Sequence, residues 1–362
     1  MYEKISIHPR NVMHRLETFQ QIKKISSEDK KDMKAFLDDL AIGRVNKGKR
    51  ISDARRLKYL DMLRIPFIFF NKPISSLTLG DMKRFENALL VDIIKKADGK
   101  NPLSEETKIT IKCMLKAYIN WKLPKKKAFD LVSWIDTRLP KKKTVPYLKE
   151  EEIERLIKGC KTNKERFTVT ILFDAGTRAE EFLNIRFEDI QETNEYNPYY
   201  KLTLKEEYSK TNGRTISLYW KKSSEIVSDY LKERKLEGAR SQDPLVDWSY
   251  PALRMFLNRL GKRILKKSIH PHLFRHSSAT YFASRLNRQE LCYRFGWKFS
   301  SDMPDIYISR AGMAESKVDE KLLNYSLDEQ ARVISKLKEE NRIFSEMLQN
   351  VKMQLENIAK KK

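Results

Sequence analysis

The stretch HPHLFRHSSATYF, residues 270–282, decides how the rest of the chain is interpreted. It places three of the chain's five histidines, His270, His272 and His276, around Arg275. The proline after the first histidine favours the first turn of a helix, where His272 and Arg275 would project from one face. Such a helix aims free N–H groups and its positive dipole end at an anion, beside the planar fork of the arginine. The stretch therefore predicts a phosphate-binding site.

Metal and nucleotide chemistry explain these residues less well. A zinc site built from the three histidines and Cys292 would set Arg275 against a cation. The segment GRVNKGKR, residues 43–50, nearly spells a P-loop, but Arg50 stands where a Ser or Thr must hold magnesium. Histidines satisfied at the surface or in a core remain the plainest alternative. We expect no metal and no other cofactor.

Composition indicates a polyanionic partner. The 362 residues are 40% hydrophobic, enough for a good core, and 73 Lys and Arg face 49 Asp and Glu, a formal net charge of +24. The three cysteines, Cys113, Cys160 and Cys292, are too far apart to suggest a disulfide framework. The chain has no signal pattern and no apolar run near the roughly 18 residues that span a bilayer. We expect a cytoplasmic, DNA-associated protein with no membrane partner.

The pattern of apolar residues predicts a mainly α-helical chain with a small antiparallel β-sheet, an α+β arrangement in its second domain. Residues 1–137 carry helical spacings, with Ser52, Thr78 and Ser104 where helix caps belong. Residues 138–146 form a basic, proline-containing linker. Residues 147–325 form the second domain, in which YYKLTLKEEYSKTNGRTISLY predicts a hairpin around a Lys-Thr-Asn-Gly turn.

Residues 326–362 predict a C-terminal helix that could form a coiled coil. Apolar positions spaced three and four residues apart make an a/d seam, with Asn341 at an a position. The seam consists of Ile334, Leu337, Asn341, Phe344, Leu348, Val351, Leu355 and Ile358. With fewer than four heptads, an amphipathic helix packed on its own domain is the alternative.

Further polar motifs flank the opening stretch on both sides. FDAGTRAEEFLNIRFEDI sets Arg178 after a Gly-Thr turn with Glu181 one helical turn later, and FGWKFSSDMPDIYISRAG brings Trp297 and Tyr307. In chain order the series is Arg178 with Glu181, Lys210 in the hairpin turn, His272-x-x-Arg275, Trp297 and Tyr307. This series resembles the tyrosine recombinase (phage integrase) family, and SDMPDIY is most similar to the archaeal integrases. Residues 1–137 resemble that family's core-binding domain.

The resemblance implies a site-specific recombinase that cleaves and rejoins double-stranded DNA at attachment sites, integrating or excising a viral or plasmid element. Tyr307 would attack the phosphodiester and form a 3′-phosphotyrosyl link. Arg178 and Arg275 would hold the non-bridging oxygens, with a hydrogen bond from Trp297. Lys210, in competition with Lys205, would protonate the 5′ oxygen, as the resemblance implies. His272 completes the catalytic set, assisting proton transfer and holding the phosphate. The supporting residues are Glu181, which orients the site, and His276.

Strand exchange between two duplexes implies a homo-oligomer, which we expect to be a tetramer in the synaptic complex. The lysines expected to face the duplex are Lys125, Lys126, Lys127, Lys141, Lys142 and Lys143. Two alternatives stay open: a type IB topoisomerase that relaxes DNA, and a catalytically silent DNA-binding protein.

Overall fold

The chain, described here by a computed structural model, divides into two compact units. One unit is His8–Thr144, and the other joins Met1–Ile7 to Val145–Lys362. The described residues are 4–7, 11–138, 146–193, 199–209 and 213–310, with isolated positions between 334 and 348. The predicted linker lysines Lys141, Lys142 and Lys143 lie outside them.

The amino terminus, residues 1–7, belongs with the second unit. The sequence pattern instead predicts residues 1–137 as one domain. The Ile5 N–H donates to Asn184 Oδ1 at 2.8 Å, and Asn184 Nδ2 donates to the Ile5 carbonyl at 2.9 Å. Ile5 and Ile7 also pack against the core of that unit. A sequence pattern could not reveal this pairing, because it depends on an asparagine far along the chain.

Within its described residues, unit His8–Thr144 is a helical bundle. Its helices are α1 (Val12–Gln20), α2 (Ser27–Ile42), α3 (Asp53–Phe70), α4 (Leu79–Leu90), α5 (Glu105–Lys122) and α6 (Lys125–Val132). Ser52, Thr78 and Ser104 occupy the N-cap positions of α3, α4 and α5, as their residue types predict. The Thr78 cap is a full capping box with Asp81.

The second unit combines helices with a small sheet. Its helices are α7 (Glu150–Lys158), α8 (Asn163–Asp174), α9 (Ala179–Asn184), α10 (Ser223–Leu236), α11 (Tyr250–Leu265), α12 (Pro271–Ala283), α13 (Arg288–Phe295) and α14 (Met303–Arg310). Helix α12 packs against α8, α13 and α14, so its buried side chains face several neighbours. It begins at the proline of the opening stretch, with His270 as its N-cap.

The sheet has three antiparallel strands in the order β1 (Ile190–Thr193), β2 (Tyr199–Leu204) and β3 (Arg214–Ser217). Strands β2 and β3 are the predicted hairpin, with Leu202 opposite Ile216. Strand β1 was not predicted, because its sequence IQET has little strand character of its own and gains it by pairing with β2. The mainly helical fold with a small antiparallel sheet agrees with the sequence-based prediction.

The described positions of the tail are helical and exposed. They include five of the eight predicted seam residues: Ile334, Leu337, Asn341, Phe344 and Leu348. The other three, Val351, Leu355 and Ile358, lie outside the described residues. In the part of the chain that is described, no helix has the length and apolar character to cross a membrane.

Candidate active site

Arg178 and Glu181 form the first part of the site at the start of helix α9. Arg178 is the N-cap residue, and its backbone N–H donates to Glu181 Oε2 at 2.9 Å. Its guanidinium Nη1 also donates to Glu181 Oε1 at 2.8 Å. The carboxylate at the third helical position thus fixes both the backbone and the side chain of Arg178.

Glu181 is buried and connects α9 to the hairpin. Arg214, on the inward face of β3, donates to both Glu181 oxygens at 3.2 Å, and the Ser209 hydroxyl donates to Oε1 at 2.8 Å. Burial raises the pKa of Glu181, but the charges of Arg214, Arg178 and Arg275, with the hydrogen bonds from Arg214, lower it to about 2. The carboxylate is therefore ionised at neutral pH.

Arg275 lies on α12 with 3% of its surface exposed. Its Nη1 donates to the Gly176 carbonyl at 2.7 Å and its Nη2 to the Phe295 carbonyl at 2.5 Å. Gly176 has φ +58°, and a Cβ there would come within 2.4 Å of a Phe295 ring atom. Only glycine fits this turn, which holds the guanidinium in one orientation.

The arginine cluster carries surplus positive charge. Within the described residues, Arg178 and Arg214 form ion pairs with Glu181, and Arg275 interacts with its charge at longer range, so three positive charges and one negative charge leave a net charge of two. Burial, together with the charge of Arg178, lowers the pKa of Arg275. An anion bound at this point would relieve the repulsion among the guanidinium groups.

Tyr307 lies in helix α14 with 2% of its surface exposed. The ring of Trp297 stacks on it, with centroids 5.3 Å apart and planes 3° from parallel. Phe295 stacks on the other side of Trp297 at 4.9 Å, and the Arg275 guanidinium lies 5.6 Å from the indole centroid. The sequence predicted a hydrogen-bond donor at Trp297; the structure adds an aromatic platform that orients Tyr307 and contacts Arg275.

The histidines of the opening stretch take different positions along α12. His276 Nδ1 lies 2.6 Å from the Tyr307 hydroxyl. His272 is exposed and meets the His276 ring edge-on at 4.8 Å. Burial and the neighbouring charge of Arg275 lower the pKa of His272. Among the described residues, no three His, Cys, Asp or Glu side chains are grouped so that they could hold a metal ion.

Lys210 lies outside the described residues, but its surroundings are partly described. Ser209, the preceding residue, donates to the Glu181 carboxylate, so the chain reaches the edge of the cluster just before Lys210. The competing Lys205 is engaged elsewhere, with Nζ 2.6 Å from Glu188 and 3.0 Å from Asp189. These contacts of Lys205 argue against it as the proton donor.

Lys125, Lys126 and Lys127 belong to unit His8–Thr144. They form the first turn of α6 and are exposed, and Lys127 Nζ donates to the Ser75 carbonyl at 2.5 Å. The helix dipole adds positive potential at this end. The six residues Arg178, Glu181, Arg275, His276, Trp297 and Tyr307 are brought together in the second unit, while these lysines form a separate basic surface.

Sequence reasoning missed Arg214 and assigned His276 only a supporting place. Arg214 precedes Ile216 by two positions on β3, so both point inward, and an arginine at an inward position of a strand was a usable signal. The contact between His276 and Tyr307 had no such signal, because it depends on how α12 packs against α14.

Comparisons with known proteins agree with this geometry. The model of the phage integrase family matches residues 146–311. The tyrosine recombinase XerA of Saccharolobus solfataricus is 27% identical over 259 residues, covering 69% of this chain and 78% of the relative.

Two solved structures share the fold. A lambda integrase dimer bound to a COC′ core site aligns with a TM-score of 0.55 and 14% identity, covering 84% of this chain and 86% of that chain. The XerH site-specific recombinase bound to a palindromic difH substrate, a post-cleavage complex, aligns with a TM-score of 0.52 and 15% identity, covering 90% of this chain and 98% of that one.

Proposed function

We propose that this chain, whose residues 146–311 match the phage integrase family, is a tyrosine recombinase of the archaeal type that integrates or excises a viral or plasmid element at specific DNA sites. One observation carries the proposal. The hydroxyl of a buried tyrosine, Tyr307, lies beside an arginine cluster with surplus positive charge, which is what attack on a phosphodiester requires.

The reaction begins with attack by the Tyr307 oxygen on phosphorus. A bond forms between that oxygen and phosphorus, and the bond to the 5′ oxygen breaks, leaving a 3′-phosphotyrosyl link. Arg178 and Arg275 hold the non-bridging oxygens and neutralise the charge that develops there. The phosphotyrosyl link keeps the bond energy, so rejoining to another strand needs no added cofactor.

The departing 5′ oxygen needs a proton, which Lys210 supplies. Ser209, the residue before Lys210, donates a hydrogen bond to Glu181 and so lies at the arginine cluster, which supports this assignment. His272 helps to hold the phosphate, and Trp297 positions the tyrosine by stacking and donates its indole N–H to the phosphate.

DNA binding outside the reaction centre comes from basic surface residues. The exposed lysines at the start of α6, residues 125–127, bind the backbone of the duplex together with the linker lysines 141–143. Exchange between two duplexes requires several protomers, and we assign a tetramer to the synaptic complex, acting on DNA in the cytoplasm. The exposed apolar seam of the tail supplies a surface for this assembly.

The reaction is tested with a nicked duplex that carries a candidate attachment site, because loss of the short cleaved strand traps the covalent product. The full-length protein should give a slow-migrating protein–DNA adduct on a denaturing gel. Tyr307→Phe should bind the duplex with nearly unchanged affinity and give no adduct, since one hydroxyl supplies the reaction and little of the binding area.

Other outcomes identify the alternatives. Binding without any adduct would indicate a silent DNA-binding protein. An adduct accompanied by relaxation of supercoiled plasmid, with no exchange between two sites, would indicate a topoisomerase. An adduct that persists in Tyr307→Phe would move the nucleophile to another tyrosine.

A further inference from the structure

The Tyr307 hydroxyl has a partner that the proposed reaction has not yet used. His276 Nδ1 lies 2.6 Å from the phenolic oxygen, within the range of a strong hydrogen bond. The two rings are 5.9 Å apart and 29° from parallel. A nucleophilic hydroxyl this close to an imidazole nitrogen is the arrangement in which a histidine accepts a proton.

The ionisation of both groups fits this direction of transfer. Burial, followed by the charges of His272, Arg310, Arg275 and His270, lowers the pKa of His276 to about 4. Burial raises the pKa of Tyr307. At neutral pH the phenol is therefore protonated and the imidazole neutral, so the hydroxyl donates to Nδ1 when the imidazole proton is on Nε2.

We propose that His276 is a catalytic residue that accepts the proton of Tyr307 during strand cleavage and returns it during rejoining. The proposal rests on the proposed function. In the forward step, the Tyr307 oxygen bonds to phosphorus while its proton moves to His276 Nδ1, and the 5′ oxygen leaves with a proton from Lys210. In the reverse step, the 5′ hydroxyl attacks phosphorus and gives its proton back to Lys210, the tyrosine oxygen leaves, and the His276 proton returns to it.

The position of His276 on α12 explains why it, rather than His272, has this role. Consecutive residues on a helix point about 100° apart. Arg275 points toward the Gly176 and Phe295 carbonyls, while His276 points toward α14 and reaches the tyrosine. Phosphate binding and proton removal are thus assigned to adjacent positions of one helix: Arg275 holds the phosphate and His276 activates the nucleophile.

Proton acceptance should depend on DNA being bound. The charged and titratable groups that face His276 are His270, His272 and Arg275 on α12, with Tyr307 and Arg310 on α14. Positive charge among them weakens His276 as a base. A DNA phosphate held by Arg275 offsets that charge and raises the pKa of His276, so the tyrosine is activated only beside its target.

Two substitutions separate proton acceptance from simple positioning. His276→Gln keeps an acceptor for the Tyr307 hydroxyl but cannot take its proton, and His276→Phe removes both. In single-turnover assays on the nicked duplex, both variants should form adduct about 10²- to 10⁴-fold more slowly, with DNA affinity within about twofold. His14→Ala, at an exposed histidine of helix α1, is the control and should react at the original rate.

Changing the acidity of the Tyr307 phenol distinguishes proton acceptance from a structural role, because a purely structural effect on the rate of adduct formation would not depend on that acidity. With 3,5-difluorotyrosine at position 307, a more acidic phenol ionises with less help. The His276→Phe variant should then regain at least about tenfold in rate, because only its missing proton acceptor limits it. Unchanged rates in His276→Gln, or no regain with the fluorinated tyrosine, would overturn the proposal.

The otherwise unaltered chain gives a second test if the variants do not fold. Its rate of adduct formation should fall as the pH drops through the pKa of His276 in the DNA complex. The pH at which the rate falls should be the same with 3,5-difluorotyrosine at position 307. If the fall in rate shifts to lower pH when the phenol is made more acidic, the titrating group is the phenol, which would contradict a role for His276. Absence of any adduct with the unaltered protein would instead refute the proposed function itself.

Discussion

Lys122 in the helical unit, His8–Thr144, lies 2.8 Å from each of three carboxylates. In the second unit, Arg178 and Arg214 pair with the single carboxylate of Glu181, and Arg275 interacts with its charge. The side chains of Lys122 and Asp29 are buried in the first group, and those of Glu181, Arg214 and Arg275 are buried in the second. In the first, three carboxylates surround one cation, whose charge is satisfied within the protein, and two of them, Glu28 and Asp32, are partly exposed to solvent. In the second, buried cations outnumber the anion, and a bound anion would offset the excess.

The ionisation of the two cations reflects this difference. Burial lowers the pKa of Lys122, but hydrogen bonds to Asp29, Asp32 and Glu28 raise it above its usual value. Burial also lowers the pKa of Arg275, and the charge of Arg178 lowers it further. A buried charge that its neighbours stabilise maintains the fold, and one that its neighbours repel marks where an anion binds.

Removing the shared carboxylate should have the largest effect. Glu181→Gln leaves Arg178 and Arg214 without their counter-charge and should lower the free energy of unfolding by about 3 to 5 kcal/mol, with loss of adduct formation. Glu180→Gln, one position earlier and in an ion pair with Lys4 at 3.7 Å, is the control and should change stability little. Urea unfolding measures both, and equal effects would contradict the account.

The same carboxylate predicts how stability varies with pH. The pKa of Glu181 is about 2 in the folded protein against 4.5 as its ordinary value, so its stabilising effect is complete above about pH 4.5. It is lost as the pH falls through about 2, a change of about 3 kcal/mol. Unfolding measured between pH 5 and pH 2 should therefore decline more steeply for the original protein than for Glu181→Gln.

Replacing Arg275 should affect the reaction more than the fold. Arg275→Lys keeps the charge but cannot bond two carbonyls and a phosphate with one planar group, so adduct formation should slow by about 10²- to 10³-fold. Arg285→Lys, at an exposed arginine near the end of α12, is the matched control. A rate for Arg275→Lys equal to that of the control would show that Arg275 does not hold the phosphate.

The satisfied cluster of the helical unit should respond in the opposite way. Lys122→Met leaves Asp29, which is 1% exposed, beside two other carboxylates and should lower the free energy of unfolding by about 3 kcal/mol. The adduct rate of the folded protein should not change. Lys31→Met, at an exposed lysine of α2, controls for the loss of charge. A slower adduct rate with intact folding would mean that this cluster also acts in catalysis.

The lysines at the start of α6 should contribute to DNA affinity and to its dependence on salt concentration. Replacing Lys125, Lys126 and Lys127 by Ala should weaken binding to every sequence and reduce the salt slope by up to about 3. The same number of exposed lysines, Lys23, Lys24 and Lys31, replaced together form the control. Equal changes in slope would show that α6 has no special part in DNA binding.

The smallest effect on cleavage is expected from the tail. Ending the chain near Asp328 should leave adduct formation intact but reduce self-association and recombination between two sites. Phe344→Asp in the full-length chain, at an exposed seam position, should reproduce the loss without shortening the protein. Sedimentation of the three proteins without DNA measures it, and equal masses with unimpaired recombination would make the tail a surface helix.

Much of the fold could be predicted from local sequence. The start of α12 after His270, the caps at Thr78 and Ser104 and the β2–β3 hairpin each depend on residues near one another in the chain. Strand β1 could not be predicted in this way, because pairing with β2 makes it a strand.

The contacts of the candidate site also differ in how far they could be predicted from local sequence. The link between Arg178 and Glu181 spans one helical turn and follows from their spacing. The contact of Arg214 with Glu181, and that of His276 with Tyr307, join elements distant in sequence, and only the packed structure reveals them. Most of the residues that form the site could therefore be predicted, whereas the contacts that set their pKa values and orientations could not.

The central claim is that the surplus positive charge around Arg178 and Arg275 holds the phosphate that Tyr307 attacks. Mapping the covalent link tests it most directly. The adduct trapped on the nicked duplex is digested with nuclease and protease, and the modified peptide is identified by mass spectrometry. We expect a phosphotyrosyl link at Tyr307 that disappears in Tyr307→Phe, and a link at Tyr281 or Tyr293 would contradict the role of Tyr307.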